Sequence, residues 1–156
     1  MKREAQAPRI AVVGGSRCTP EQARAAEDVG RLLAEAGAVL LCGGLTGVMT
    51  HAAKGARDAG GLTVGILPGS DANEANPYIR LALPTGMGEM RNALIVRMAQ
   101  AVVAIGGGWG TLSEVALARR TDVPVIALLD ELGAGVDLPR ARDAGEAVQW
   151  VLARAS

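Results

Sequence analysis

One carboxylate and one guanidinium stand where a backbone could bring them to a common ligand. Glu114 closes the run Gly106-Gly107-Gly108-Trp109-Gly110-Thr111-Leu112-Ser113-Glu114, and Arg91 begins the helical pattern just upstream. The run follows Ala101-Val-Val-Ala-Ile105, apolar and rich in β-branched residues, so it reads as a buried strand, a glycine turn and a helix starting near Thr111. The first amides of a helix lack internal acceptors and lie at the positive end of its dipole, so a phosphate there gains hydrogen bonds and charge stabilisation together. Glycines without Cβ atoms let a ligand reach those bare amides. Thr111 holds the place where a dinucleotide fingerprint needs its last glycine, and the Gly-Lys-Ser/Thr of a P-loop is missing. Spacing alone assigns Glu114 first to a capping box with Thr111, its carboxylate satisfying backbone amides. If both helices start at one sheet edge, Arg91 and Glu114 converge instead on the ligand.

The elements that must position these groups alternate along the chain. Ile10-Ala-Val-Val13 reads as a first strand closed by Gly14, Gly15 and Ser16. Thr19-Pro20-Glu21-Gln22 carries the signs of a helix start and capping box, and Ala25, Ala26, Val29, Leu32, Leu33 and Ala36 recur at helical spacing up to Gly37. Val39 to Cys42 reads as a second strand, Gly43 and Gly44 as its turn, and the next helix has Val48, Met49, Ala52, Ala53 and Ala56 on its apolar face and ends at Gly60 and Gly61. Leu62 to Leu67 reads as a third strand, Ile79 to Leu83 as a short fourth, Gly88 to Ala99 as a helix and Val123 to Leu129 as the sixth strand. Pro124 cannot donate to a ladder, so pairing should begin after it or the strand lie toward an edge. Glu131 to Arg142 reads as a loop, and Asp143-x-x-Glu146 caps a last amphipathic helix. Such alternation predicts an α/β, Rossmann-like, mainly parallel sheet with helices on both faces. Three glycine turns at strand C-terminal ends point to one crevice on the edge where open α/β sheets bind ligands.

Composition narrows the classes of function. With 156 residues and 49% hydrophobic content, residues 9–156 should form one domain after a short disordered start over residues 1–8. Sixteen basic residues balance sixteen acidic ones, and aromatics are 2%, so neither nucleic acid nor a membrane surface is an expected partner. No apolar run approaches a membrane span. Cys18 and Cys42, with no signal peptide ahead of them, suggest reduced, structural thiols and a cytoplasmic location. His51 is the only histidine, and nothing near it suggests a nucleophile or a metal site; no metal is expected. Trp109 is suited to packing over a ligand or closing a subunit interface, with the interface slightly favoured.

The run from Gly106 to Glu114 resembles the Pro-Gly-Gly-x-Gly-Thr-x-x-Glu motif of the LONELY GUY family, once described as lysine decarboxylases. Met90-Arg91-Asn92 stands where that family has its Arg-Lys pair, while Val13-Gly-Gly-Ser16 and Cys42-Gly-Gly-Leu-Thr-Gly-Val-Met49 resemble its other two glycine turns. The resemblance covers nearly the whole chain. It implies a homodimer or homotetramer, a site for nucleoside 5'-monophosphates, and hydrolysis of the N-glycosidic bond to free base and ribose 5-phosphate. Carried over by position, Arg91 and Glu114 form the catalytic pair. Gly14, Gly15, Ser16, Gly43, Gly44, Gly107, Gly108, Trp109, Gly110 and Thr111 surround the small phosphorylated ligand, with the phosphate on the amides of Gly107 to Thr111, and Thr85, Gly86 and Asn92 form a substrate loop. A carboxylate beside the sugar stabilises positive charge developing at the anomeric carbon.

Two positions depart from the motif: Gly106 replaces its proline, which should loosen the turn, and Asn92 replaces its lysine, which removes a charge. With the segments Thr85 to Asn92 and Ala75 to Tyr78, they resemble a sister branch that includes molybdenum-cofactor carriers. There the crevice would hold a pterin-linked phosphate without cleaving it. Three readings follow: a phosphoribohydrolase acting on a purine nucleoside 5'-monophosphate and needing no cofactor, which is preferred because Arg91 and Glu114 are both retained; alternatively a carrier or sensor of a phosphorylated cofactor such as molybdenum cofactor; or an oligomeric nucleotide-binding scaffold without turnover. Lysine decarboxylation is rejected on chemistry, because pyridoxal phosphate needs a Schiff-base lysine and only Lys2 and Lys54 exist, neither well placed.

Overall fold

A computed structural model describes residues 6–155. The elements run β1 (Arg9–Gly14), α1 (Pro20–Glu35), β2 (Val39–Cys42), α2 (Val48–Asp58), β3 (Thr63–Leu67), β4 (Leu81–Pro84), α3 (Asn92–Met98), β5 (Ala101–Ile105), α4 (Trp109–Arg120), β6 (Val125–Leu128), β7 (Arg140–Ala141) and α5 (Ala144–Arg154). All strands pair in parallel in the order β4-β3-β2-β1-β5-β6-β7. The single-domain, Rossmann-like architecture expected from the alternation is the one observed.

Helices cover both faces, which is why the central strands read as apolar runs. Ile10, Val12, Leu40, Cys42, Val103 and Ile105 turn toward the layer of α1, α2 and α5. Ala11, Val13, Leu41, Val64, Ile66, Val102 and Ala104 turn toward α3 and α4. The Thr19–Gln22 capping box forms as read, with Gln22 N donating to Thr19 Oγ1 at 3.1 Å and Thr19 N to Gln22 Oε1 at 3.0 Å. Asp143 likewise caps α5 by accepting from Glu146 N at 2.8 Å.

Several boundaries differ from the sequence reading. The helix expected over Gly88 to Ala99 is a 3-10 turn, Gly88–Arg91, followed by the short α3. The fourth strand starts at Leu81, not Ile79, whose side chain packs against Gly65. The sixth strand is shorter, Val125–Leu128, with Pro124 outside it contributing only its carbonyl, to Val102 N at 2.8 Å. The stretch expected to be loop from Glu131 to Arg142 contains β7, a seventh strand too short to show a period. It is tied in by Arg140, whose Nε and Nη2 grip the Asp130 carboxylate at 3.0 and 3.2 Å and whose Nη2 also reaches the carbonyls of Gly133 and Val136. Of the start expected to be disordered, residues 1–5 lie outside the described residues, while the Pro8 carbonyl accepts from Val39 N at 2.8 Å.

The closest helix contact is one the apolar period did not reveal. Gly30 of α1 lies against the Ala52 carbonyl, where a Cβ would come to 2.0 Å, and Gly55 of α2 lies against the Glu27 carbonyl, where a Cβ would come to 1.9 Å. These glycines let the two backbones touch. In an isolated helix Gly→Ala gains about 1 kcal/mol, but here the added methyl forces α1 and α2 apart, and overpacking of this kind costs about 1–3 kcal/mol. Gly55→Ala should therefore lower the melting temperature, by about 2–4 °C per kcal/mol lost for a domain of this size. A rise in thermal denaturation midpoint would show that the crossing tolerates separation.

Candidate functional site

The sheet order places β1 between β2 and β5, so the chain reverses direction across the sheet at the β1/β5 boundary, where loops diverge to opposite faces and leave a crevice. Gly14 is level with Ile105, bringing the turns after β1 and β5 side by side. Beyond Ile105, Gly106 takes φ +68°, a left-handed value closed to proline, whose ring fixes φ near −65°. The turn is not loosened by glycine, as the motif comparison suggested, but differently built. Gly106 N donates to the Leu128 carbonyl at 3.4 Å, its own carbonyl accepts from Glu131 N at 3.2 Å, and the Gln22 amide packs against it.

The helix after this turn starts at Trp109, two residues before the predicted Thr111, with Gly108 as an N-cap that offers no side chain. The first bond of the ladder runs from Leu112 N to the Gly108 carbonyl at 2.9 Å, so the amides of Trp109, Gly110 and Thr111 remain for an external acceptor. The capping box of Thr111 with Glu114 does not form, because the earlier start places Glu114 in the second turn, beyond reach of the cap amides. A Cβ built on Gly108 or Gly110 meets nothing within 4 Å. Neither backbone conformation requires glycine, since Gly108 is extended and Gly110 is helical. The open space above both residues is thus room for something outside the chain.

Arg91 and Glu114 come together at this edge, both buried, with 8% and 7% of their surface exposed. The arginine side chain lies along the ends of β2 and β3: Nε donates to the Ile66 carbonyl at 2.8 Å, Nη2 reaches the Gly43 carbonyl at 3.5 Å, and Nη1 donates to Asn92 Oδ1. Burial lowers its pKa from the ordinary arginine value, offset by the nearby charge of Glu114. Burial raises the Glu114 carboxyl to about 7, and the Arg91 charge opposes that rise without cancelling it. The pair is electrostatically coupled, yet no direct ion pair joins them among the described residues. Glu114 has no hydrogen-bond partner within the described chain, and neither of its oxygens is sealed from the surface unsatisfied. A buried carboxyl pushed up to about 7 can donate or accept a proton near neutrality.

The fold itself accounts for several of the other predicted site residues. A Cβ on Gly43 would strike Arg91 Nη2 at 2.7 Å and the Met49 sulfur at 2.8 Å, so that glycine makes room for the guanidinium. Gly44, at φ +78°, packs on Leu67 and Gly65, and Gly14 abuts the Ile105 carbonyl and Val48. Gly15 and Ser16 lie in the first turn, which is closed by Gly15 O accepting from Val48 N at 3.1 Å and Ser16 O accepting from Thr46 Oγ1 at 3.2 Å. Gly107 sits beneath Leu132. Thr85 Oγ1 donates to the Leu67 carbonyl at 2.7 Å and Gly86, at φ +65°, donates its amide to Gly69 O at 2.9 Å, which pins the loop before the 3-10 turn. Trp109, the first residue of α4, is 88% exposed. Cys42 lies buried beside Arg91 and Glu114, its thiol pushed up to about 11 by burial, and burial also raises Cys18. Both therefore stay neutral thiols, in keeping with a structural role.

Two contributors escaped the sequence reading. Gln22, a helix cap by its spacing, also donates from Nε2 to the Leu129 carbonyl at 3.2 Å and to Glu131 Oε1 at 3.1 Å, joining the first turn of α1 to the loop after β6. Ser113, whose Oγ donates to Gly110 O at 2.7 Å, faces Asn92 Nδ2 at 3.5 Å. Contacts between residues this far apart in sequence leave no periodic signal. Lys54 pairs with Glu27 of α1 at 3.1 Å and with Asp58 of its own helix at 2.8 Å. Among the described residues there is no group of three or more metal-ligating side chains and no helix long and apolar enough to cross a membrane.

A parallel sheet with a glycine-fronted helix at its strand reversal and a buried Arg/Glu pair beside it is the arrangement of a Rossmann-like α/β protein of the LONELY GUY type. The model of the SLOG cluster4 family matches residues 7–149, and the chain belongs to that family. It is similar in structure to the molybdenum cofactor binding protein of Rippkaea orientalis, with 37% identity and a TM-score of 0.90 over 96% of this chain and 98% of that one. The molybdenum cofactor carrier protein of Chlamydomonas reinhardtii superposes with a TM-score of 0.84 at 33% identity over the same shares. An uncharacterized protein from Archaeoglobus fulgidus is 44% identical over 119 residues, 76% of this chain and 78% of that protein.

Two predictions test the site. The raised pKa of Glu114 means that the folded state binds more protons than the unfolded state between about pH 4.5 and 7, so its contribution to stability falls as pH rises through that window. Relative to Glu114→Gln, the native chain should lose on the order of 3 kcal/mol between pH 5 and pH 8, read by urea denaturation at both values; a pH-independent difference would refute the burial argument. Gly108→Val, with its side chain in the open space above the amides, should cost only about 1 kcal/mol as an unfavourable N-cap. It should weaken binding of ribose 5-phosphate by about tenfold or more, the equivalent of one lost hydrogen bond. Unchanged affinity in calorimetry would remove the backbone cradle from the site.

Proposed function

We propose that this chain binds and hands on molybdenum cofactor, a phosphorylated pterin, without breaking a bond in it. The observation that carries the reading is the likeness along 96% of the chain to two proteins described as binding or carrying that cofactor, at 37% and 33% identity. The crevice fits such cargo. The amides of Trp109, Gly110 and Thr111, free of helix partners and uncovered by Gly108 and Gly110, would hold the phosphate, and the buried cation of Arg91 would offset its charge. Near neutrality Glu114 still carries its proton in about half of the molecules, so it can donate a hydrogen bond to an acceptor on the ligand where an ionised carboxylate would repel a bound anion. In the cytoplasm, where we place this chain, Cys18 and Cys42 would stay reduced. A homo-oligomer would cover Leu81 and Leu83, which the edge strand β4 leaves exposed.

A second reading rests on the same pair. Arg91 and Glu114, both buried at one crevice, are the groups that hydrolysis of a nucleoside 5'-monophosphate would need, the ionised carboxylate stabilising charge at the anomeric carbon. The two readings separate in one experiment. Purified protein is incubated with a panel of nucleoside 5'-monophosphates beside Glu114→Gln, free base is followed by chromatography, and molybdenum cofactor capture is measured by reconstitution of a cofactor-free molybdoenzyme. A carrier should release no base, capture the cofactor, and hold it less tightly as pH rises through about 7 and Glu114 becomes negative. Base release that vanishes in the variant would overturn the carrier and establish the hydrolase.

A further inference from the structure

A run of hydrogen bonds through Arg91 and Asn92 joins the ends of β2 and β3 to the mouth of α4. Three of the arginine's donors are engaged: Nε to Ile66 O at 2.8 Å, Nη2 to Gly43 O at 3.5 Å and Nη1 to Asn92 Oδ1. With Oδ1 turned to the guanidinium, the Asn92 amide directs Nδ2 at Ser113 Oγ, 3.5 Å away. The serine proton goes to Gly110 O at 2.7 Å, which leaves the Ser113 lone pairs to accept from Asn92. Every group in the run is used in the one sense its chemistry permits, so the amide has a single orientation: reversing it would set its NH₂ against the arginine donor.

This arrangement answers why two coupled opposite charges, both buried, do not close on each other. We propose that Asn92 is a positioning residue: its carbonyl holds the Arg91 guanidinium against the ends of β2 and β3, away from Glu114, and its nitrogen ties that arrangement to Ser113 beside the phosphate amides. The carboxyl is thereby kept free for a ligand instead of being spent on an internal ion pair. That consequence rests on the crevice reading given above; the arrangement itself does not. The charged and titratable groups around it are few. Arg91, from the 3-10 turn, acts on Glu114; Cys42, from β2, senses both and is neutral at ordinary pH; Glu89, also in the 3-10 turn, acts on Arg91.

The test needs no ligand. Glutamate side chains labelled with ¹³C are titrated by NMR in the full chain, and the Glu114 signal is assigned by its loss in Glu114→Gln. Asn92→Leu keeps the bulk and removes the hydrogen bonds, so the freed guanidinium should swing to Glu114 and lower its midpoint by about one pH unit, a tenfold change in proton affinity. Asn92→Asp restores an acceptor for Arg91 and adds a negative charge, so its midpoint should return to the native value or above it. A residue that only fills space would lower the melting temperature in Asn92→Leu and leave the midpoint where it was, which would overturn the proposal. A fall in Asn92→Asp would overturn it equally, and that variant decides the matter alone if Asn92→Leu does not fold. Ribose 5-phosphate titrated into the native chain tests the crevice reading separately: if it does not bind, the proposed ligand role fails while the NMR midpoints still judge the positioning role.

Discussion

Two opposite charges lie buried at the carboxyl edge of the sheet without touching, and much of the surrounding structure follows from what it takes to keep them there. Desolvating a guanidinium is unfavourable unless its donors find acceptors. Here the acceptors are the carbonyls of Ile66 and Gly43, at the ends of β3 and β2, and the side chain of Asn92. Parallel strands of matched register put those carbonyls at one level, since Gly65 is opposite Cys42 and Leu41 opposite Ala11. The arginine reaches them because a 3-10 turn, not an α-helix, carries it down to the sheet edge before α3 begins. Gly43 is glycine because the guanidinium occupies the space its Cβ would need.

The carboxylate is treated differently. Burial and a single cation that is bonded elsewhere leave it poised near neutrality. An ion pair would have pulled its titration far lower, and a fully solvated position would have left it an ordinary acid. This intermediate state is local to the crevice. Most of the chain's described ion pairs, such as Arg31 with Asp28 and Glu35, lie on the outer surface, where such contacts contribute little. The same holds for the concavity of about 550 Å³ lined by Arg24, Glu27, Asp28, Arg31, Glu35 and Asp58, whose mixed charges neutralise one another on the outer faces of α1 and α2.

Much of this was legible in the sequence because it depends on local rules. Strand, glycine turn and helix start are written in consecutive residues, and the alternation of such units fixes a parallel sheet and its functional edge. The glycines themselves were harder to read. One residue type serves four purposes here: a positive φ at Gly106, close helix contact at Gly30 and Gly55, room for a side chain at Gly43, and open space at Gly108 and Gly110. Composition cannot tell these apart, since each depends on what lies opposite in space. Glu114 shows the same limit from another side. A spacing of three from Thr111 satisfies the capping box pattern, but the helix begins two residues earlier at Trp109, and that shift converts a cap into a crevice residue. Asn92 reads in sequence as a missing charge, whereas the folded chain makes it the link between Arg91 and Ser113.

The distinction between holding a ligand and cleaving it turns on these few atoms. Stabilising positive charge at an anomeric carbon requires an ionised carboxylate beside the sugar, and a cation close by keeps it ionised at neutral pH. Binding a phosphorylated cofactor makes the opposite demand, because a full negative charge next to the phosphate opposes it. At this edge the nearest cation is bonded to backbone carbonyls and to a neutral amide, so the carboxyl retains much of its proton. The backbone cradle suits either chemistry. On the reading proposed here, what would bias this crevice toward binding is therefore the disposition of charge around the cradle, in which one neutral side chain, Asn92, stands where a second cation would favour ionisation of Glu114.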